Sequence, residues 1–275
     1  MKTNIYKKIT DLIIAKLHAG EIPWRKSWIS LAPKNFLSKN TYQGINFLLL
    51  SLYDFPSPYF ITFKQCKDKS GHILKGSKGI PVVFWKMIES KINDDEIPFV
   101  RWSTAFNLAQ TSLFEEIKEE AGELQTAQEL LNSLSNVPTI KNNVSRAFYS
   151  PALDYISLPP LSQFETEAEY YSTLFHEIIH STGHSKKLAR FNPLGFEGNE
   201  KLHAYSFEEL VAELGSAFLC SMCGIDNTID NSAAYIQGWS KRLKADDKMI
   251  LRASTKAKNA VNYLINKAET VTAAA

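Results

Sequence analysis

His176-Glu177-Ile178-Ile179-His180 decides how this chain is read. It has the form H-E-x-x-H, and its neighbours Tyr170, Tyr171, Leu174, Phe175, Ile178 and Ile179 suit one long apolar helix. Residues i and i+4 of a helix share a face, so both imidazoles can reach one metal ion. Glu177, beside the first histidine, then faces the open metal position and can take a proton from bound water. Two solvated surface histidines would satisfy the same pattern. The bulky apolar neighbours instead describe a mostly buried helix, in which imidazoles need partners. The stretch therefore predicts metal-assisted hydrolysis.

A centre of this kind needs a third protein ligand and one open position. His184 shares the face, but at about 1.5 Å of rise per residue it lies about 6 Å beyond His180. Gly183 also ends the helix first. A metzincin would carry histidine where Lys186 stands, so that ligand set fails. The segment Glu208-Glu209-Leu210-Val211-Ala212-Glu213 puts carboxylates among core-type residues on a second helix. The arrangement resembles the thermolysin-like gluzincins, where a glutamate on a second helix completes the site. In that family a carboxylate four residues later orients a ligand histidine. The resemblance implies Glu209 as ligand and Glu213 in the orienting role, with Glu208 and Glu213 as alternative ligands; gluzincins more often carry aspartate at the position of Glu213. Zn2+ is the expected ion, and another divalent metal such as Mn2+ suits the same donors. His203, Tyr205 and Tyr235 are unranked candidates for donating to the oxyanion.

Charge divides the chain. Residues 1–111 carry 16 Lys+Arg against 8 Asp+Glu, a net of +8, and the remainder carries 15 against 21, a net of −6. A basic half joined to an acidic half predicts a polyanion-binding module fused to something else. A solvated basic surface is the blander alternative. The start of the chain shows no apolar signal core, and no apolar run reaches the roughly 20 residues of a membrane span. A cytoplasmic protein with no membrane partner is expected. Cys66, Cys220 and Cys223 provide no disulfide framework. Cys220 and Cys223 form C-x-x-C without the second pair of a structural zinc site, and read as helix-packing thiols.

The element pattern predicts an α+β protein. Ile5, Ile9, Leu12, Ile13 and Leu17 mark an amphipathic helix stopped at Gly20. Residues 40–52 suggest a helix, 59–67 and 72–75 short strands or a strand and a short helix, and 80–85 with 99–107 a hairpin. Residues 113–134 suggest helix plus linker, 135–143 a loop, and 147–149 and 154–158 two short strands. Helices follow over 164–180, then from Ser206 to Met222, and around 232–245 and 246–268. Residues 190–203 read as loop, and Ser206 reads as an N-cap with Glu209 at capping-box spacing. The expected division is a small α+β module over 1–115, a linker or helix over 116–145, and a metal-bearing domain over 146–275.

The basic half interleaves cations with rings, as single-stranded nucleic acid requires for phosphate contact and base stacking. Trp24, Arg25, Lys26, Trp28, Asn35, Tyr42, Asn46, Lys75, Lys78 and Trp85 are the candidate contacts. Phe63 and Phe84 are expected in the core. The motifs Gly20-x-x-Pro23-Trp24-x-x-x-Trp28, Tyr42-x-Gly44-Ile45-Asn46, Thr62-Phe63-Lys64-Gln65 and Lys75-Gly76-x-Lys78-Gly79 run through this half. Tyr149-x-Pro151, Tyr170-Tyr171-x-Thr173-Leu174-x-His176-Glu177, Thr182-Gly183-His184, Leu188-x-Arg190, Glu208 to Glu213 and Trp239 run through the other. Together they resemble the ArdC-type antirestriction proteins of plasmids and phages over nearly the whole chain. Ser181 stands where those relatives often have tryptophan, and residues 111–145 match no close pattern. The resemblance implies a module that binds single-stranded DNA, followed by a gluzincin-like, zincin-type metallopeptidase domain. It also implies protection of incoming DNA against host restriction machinery. Two readings follow: the zincin-like domain cuts a peptide, or it is a platform that cuts nothing.

Overall fold

The computed structural model describes residues 4–25, 32–89, 96–114, 124–142, 146–191, 198–225 and 233–266, with backbone alone at 25, 85–89, 96–100 and 198–203. Its architecture is α+β in two compact units. Residues 1–31 group with 122–268, and residues 32–121 form the core of the second unit.

The 32–121 unit is built on a four-stranded sheet of order β1-β2-β4-β3. Its strands are β1 (Lys34–Asn35), β2 (Tyr59–Thr62), β3 (Ile80–Glu89) and β4 (Glu96–Asn107). The expected hairpin is β3 and β4, antiparallel from Ile80↔Ala105 to Glu89↔Glu96. Pro81 fits within β3 because β3 is an edge strand, where a missing N–H costs no ladder bond. At the end of β2, Thr62 starts the short helix α3 (Phe63–Asp68) through a reciprocal capping box with Gln65. Helix α2 (Ile45–Leu50) follows Gly44, whose φ of 57° favours glycine.

The other unit holds α1 (Ile5–His18), α4 (Ala127–Ser133), α5 (Glu167–Ser181), α6 (Gly198–Met222), α7 (Ala233–Ala245) and α8 (Met249–Leu264). A three-stranded sheet of order β5-β7-β6 joins them. In it β5 (Thr139–Asn142) runs parallel to β7 (Tyr155–Leu158), and β6 (Phe148–Ser150) runs antiparallel to β7. Helix α5 packs against β6, β7 and α6, while α6 packs on α8 and α1 packs on α7. Phe175, Ile178 and Ile179 of α5 are fully buried, and each stabilises the fold by roughly 1.5–3 kcal/mol. At Gly215 in α6 a Cβ would lie 2.8 Å from Ile179. Glycine there lets the α6 backbone approach α5, and this close approach brings the two sets of polar side chains together.

Three expectations are corrected. Ser206 is not an N-cap: α6 starts at Gly198, and Ser206 is buried within it. The spacing from Ser206 to Glu209 fits a helix interior as well as a capping box. Residues 135–143 are not all loop: β5 is an edge strand whose residues are mostly exposed, so it lacks the apolar alternation that would reveal it. Phe63 is 62% exposed rather than core. The first 31 residues pack in one compact unit with the metal-motif helices, so that unit is discontinuous in sequence. Among the described residues no helix is long and apolar enough to cross a membrane.

Candidate metal centre

Thr166 caps α5 by accepting from the Glu169 N–H, so the helix enters in register to carry His176 and His180 on one face. Their Nε2 atoms lie 3.0 Å apart. Glu209 of α6 completes the group, with Oε2 3.5 Å from His176 Nε2 and Oε1 3.5 Å from His180 Nε2. A tetrahedral ion with bonds of about 2.0–2.1 Å holds its ligands about 3.3 Å apart. Three lone-pair donors converging at these distances fit a divalent cation. His184 is outside the group: α5 ends at Ser181, and His184 Nδ1 accepts from the Lys186 N–H.

The electrostatics express the same convergence. Burial disfavours the His176 imidazolium, but its bond to Glu209 and the charges of Glu213 and Glu177 outweigh that and raise its pKa. Burial likewise opposes ionisation of Glu209, yet the His176 bond, the charges of His180 and His176 and a bond from Tyr205 hold its pKa down. Glu177 is buried beside this cluster.

Each histidine has support behind it. His180 Nδ1 lies 3.4 Å from Glu208 Oε1, so Glu208 backs a donor histidine instead of joining the centre. Arg190 grips Glu208 with a fork, Nε to Oε2 at 3.0 Å and Nη2 to Oε1 at 2.7 Å. The same guanidinium donates to the Ile179 carbonyl and to Thr182 Oγ1, tying the fork to the end of α5. Arg190 was visible in sequence only as part of a motif, because its partner lies eighteen residues away. Arg190→Lys keeps the charge and loses the planar fork. Metal affinity should fall about 10- to 100-fold, read by competition with a chromogenic chelator. Unchanged affinity with a lowered melting temperature would make Arg190 a packing residue only.

Behind His176 stands a different chain of contacts. Trp24 Nε1 donates to Tyr235 Oη at 3.2 Å, and Tyr235 Oη donates to Glu213 Oε1 at 2.9 Å. Glu213 acts on His176 through its charge, while His176 Nδ1 makes no hydrogen bond among the described residues. Trp24 is fully buried and meets Trp239 edge-on at 5.8 Å. Its indole is therefore turned into the fold, away from any stacking partner in solution. Tyr235 is tied to Glu213, which leaves Tyr205 as the described candidate donor beside the centre. The charge of Glu209, burial, a bond to Glu209 and the charge of Glu177 all raise the Tyr205 pKa and keep its phenol protonated. The side chain of His203 lies outside the described residues.

The remaining sequence candidates separate clearly. Asn35 Oδ1 accepts from the backbone of Leu37 and Ser38, and its amide donates to Tyr42 Oη at 3.2 Å. Asn46 is buried and bonds both the N–H and the carbonyl of Val83 at 2.7 Å. These three residues hold turns and strands. Lys75 and Lys78 are exposed around Gly76. The side chains of Arg25 and Trp85, and the whole of Lys26 and Trp28, lie outside the described residues. Sequence reasoning passed over Trp102, which is 43% exposed on β4 beside exposed Arg101. Burial pushes Cys220 up to about 12 and Cys223 up to about 11, in keeping with packing thiols.

Comparison with known proteins bears on the whole arrangement. Residues 3–130 match the N-terminal domain of anti-restriction factor ArdC, and residues 125–256 match a zincin-like metallopeptidase domain. Two Escherichia coli proteins described as DNA primase TraC are each 30% identical over 96% of this chain, but the chain spans only 27% and 20% of their lengths. An uncharacterised Sinorhizobium fredii protein, y4eC, is 29% identical over 95% of this chain and 92% of its own. The metal-free crystal structure of antirestriction protein ArdC from plasmid R388 superposes with a TM-score of 0.78. It is 34% identical, covering 96% of this chain and 97% of that one. The Mn(II)-bound structure of the same protein gives 0.78 and 35%, covering 97% and 98%. With this coverage in sequence and in structure, the chain belongs to the ArdC antirestriction family.

Proposed function

We propose that this protein binds single-stranded DNA through its basic N-terminal part, residues 1–115, holds a divalent metal at His176, His180 and Glu209, and hydrolyses peptide bonds there while protecting incoming DNA. The observation that carries the metal and peptidase reading is the convergence of those three donors beside Glu177. Zn2+ is the favoured ion from the donor set of two imidazoles and a carboxylate; a Mn(II)-bound ArdC structure supports a divalent ion in general. A divalent ion held by these three residues would supply Lewis acidity at this place. Glu177 accepts the proton of the attacking water on its carboxylate and hands it to the leaving amine. Tyr205 donates its phenolic hydrogen to the developing oxyanion. Glu208, clamped by Arg190, keeps the His180 ring aimed.

The DNA reading is supported by the net charge of +8 over residues 1–111 and by the exposed cations and exposed rings that this stretch carries. Lys75, Lys78 and Arg101 supply the charge, and Phe63 and Trp102 supply faces for stacking. Trp24 and Asn46 are buried and are left out of this set, while Asn35 and Tyr42 are half-buried and stay within it. Full-length protein titrated with oligothymidine should bind with log affinity falling linearly against log salt. The Lys75→Gln/Lys78→Gln double variant should flatten that slope by roughly 0.7 for each lysine that meets a phosphate. Absence of binding, or binding indifferent to salt, refutes the nucleic-acid assignment.

A further inference from the structure

Beside the centre, on the Glu209 side, lies a cavity of about 280 Å3. Tyr205 and Glu209 form the edge nearest the metal donors, and Tyr235, Gly238, Trp239 and Arg242 of α7 complete it. The cavity lies at or below the small end of pockets for drug-like ligands, about 300–1,000 Å3, and suits a single side chain.

Two features of α7 mark it as a built site. Gly238 sits in the middle of a helix, where glycine is destabilising compared with alanine. Its backbone is not in the left-handed region, and a Cβ added there would meet only Arg242 Nη1, at an ordinary 3.4 Å. Neither conformation nor crowding requires glycine, and the omitted side chain leaves the floor of the cavity open. The Arg242 guanidinium lies 5.2 Å from the Trp239 ring centroid, so a cation–π contact holds it over that floor. Among the described residues no carboxylate pairs with Arg242. Of the two acids on the wall, Glu213 accepts from Tyr235 and Glu209 faces the imidazoles, which leaves Arg242 to set the charge preference.

We propose that this cavity is a specificity pocket for an acidic side chain, glutamate or aspartate, next to the scissile bond of a peptide substrate. The proposal rests on the peptidase reading of the centre. Its cation offers a planar fork to a carboxylate, and the tyrosines give the methylenes apolar walls.

The test uses full-length Zn2+-loaded protein and two peptide hydroxamates that differ only in glutamate against glutamine at the side chain next to the hydroxamate. Binding is read by calorimetry, so turnover is not required. The glutamate compound should bind about tenfold tighter, since hydrogen bonds to charged groups outweigh neutral ones. Arg242→Gln should abolish the preference while leaving the affinity for acetohydroxamate unchanged. Gly238→Leu, which raises helix propensity and fills the floor, should weaken both peptide hydroxamates at least as strongly. Equal affinities in the natural protein, or a preference that survives Arg242→Gln, overturns the pocket alone. If acetohydroxamate fails to bind at all, the metal-centre reading falls and the pocket falls with it.

Discussion

Glu177→Gln should lower kcat/KM for peptide hydrolysis by about 10^2- to 10^4-fold while metal content stays at the level of the natural protein. Glutamine keeps the size of the side chain and loses the basic oxygen. His176, His180 and Glu209 are untouched, so any loss is one of proton transfer. Measuring metal content and kinetics on the same preparation separates that loss from demetallation. The same variant decides between the two readings of the zincin-like domain. If peptide cleavage vanishes but DNA protection in cells is unchanged, the domain serves antirestriction as a platform. If protection falls in parallel with cleavage, hydrolysis belongs to the protective function. Retained cleavage by the glutamine variant would remove Glu177 from the role of base.

Trp24→Ala should cost about 3–5 kcal/mol in unfolding free energy, the range for deleting a fully buried large aromatic. Trp24 has no exposed surface, packs edge-on against Trp239 and donates to Tyr235. Urea titration of the apo protein reads the cost. Trp24→Phe isolates the polar part, because the ring remains and the indole N–H is lost. That variant leaves Tyr235 with one partner fewer and loosens the line through Glu213 to His176. Metal affinity should drop by up to about tenfold, and oligothymidine affinity should stay within twofold of the natural protein. The opposite pattern, intact metal affinity with weakened DNA binding, would return Trp24 to the nucleic-acid surface.

Legibility differed by the range of the interaction. The α5 helix and the facing pair His176 and His180 follow from local spacing, and so did α1, α2 and the β3–β4 hairpin. Glu209 was accessible because the second helix carries its carboxylates within an apolar pattern. The approach that brings it within reach depends on Gly215 against Ile179, a contact between helices. The start of α6 was misplaced because a serine-to-glutamate spacing means one thing at a helix end and another inside a helix. Strand β5 escaped because an exposed edge strand needs hydrogen bonds from a neighbour rather than apolar alternation of its own.

Trp24 shows the limit most clearly. In sequence a tryptophan beside two cations has the composition of a base-stacking site, and Phe63 beside Lys64 has the composition of a core strand. Tertiary packing reversed both, burying Trp24 behind the centre and leaving Phe63 exposed. Glu208 and Arg190 changed in the same way, from a spare ligand and a motif residue to a clamp on His180. By itself the sequence determined the pairing of His176 and His180 on one helix face, the uneven charge and the α+β class, because these depend on residue type and short-range periodicity. The tertiary structure alone decided which carboxylate faces the histidines and which braces them, which aromatics are buried, and where an arginine overlooks an empty floor. Those outcomes depend on distances between segments far apart in the chain, which no local pattern encodes.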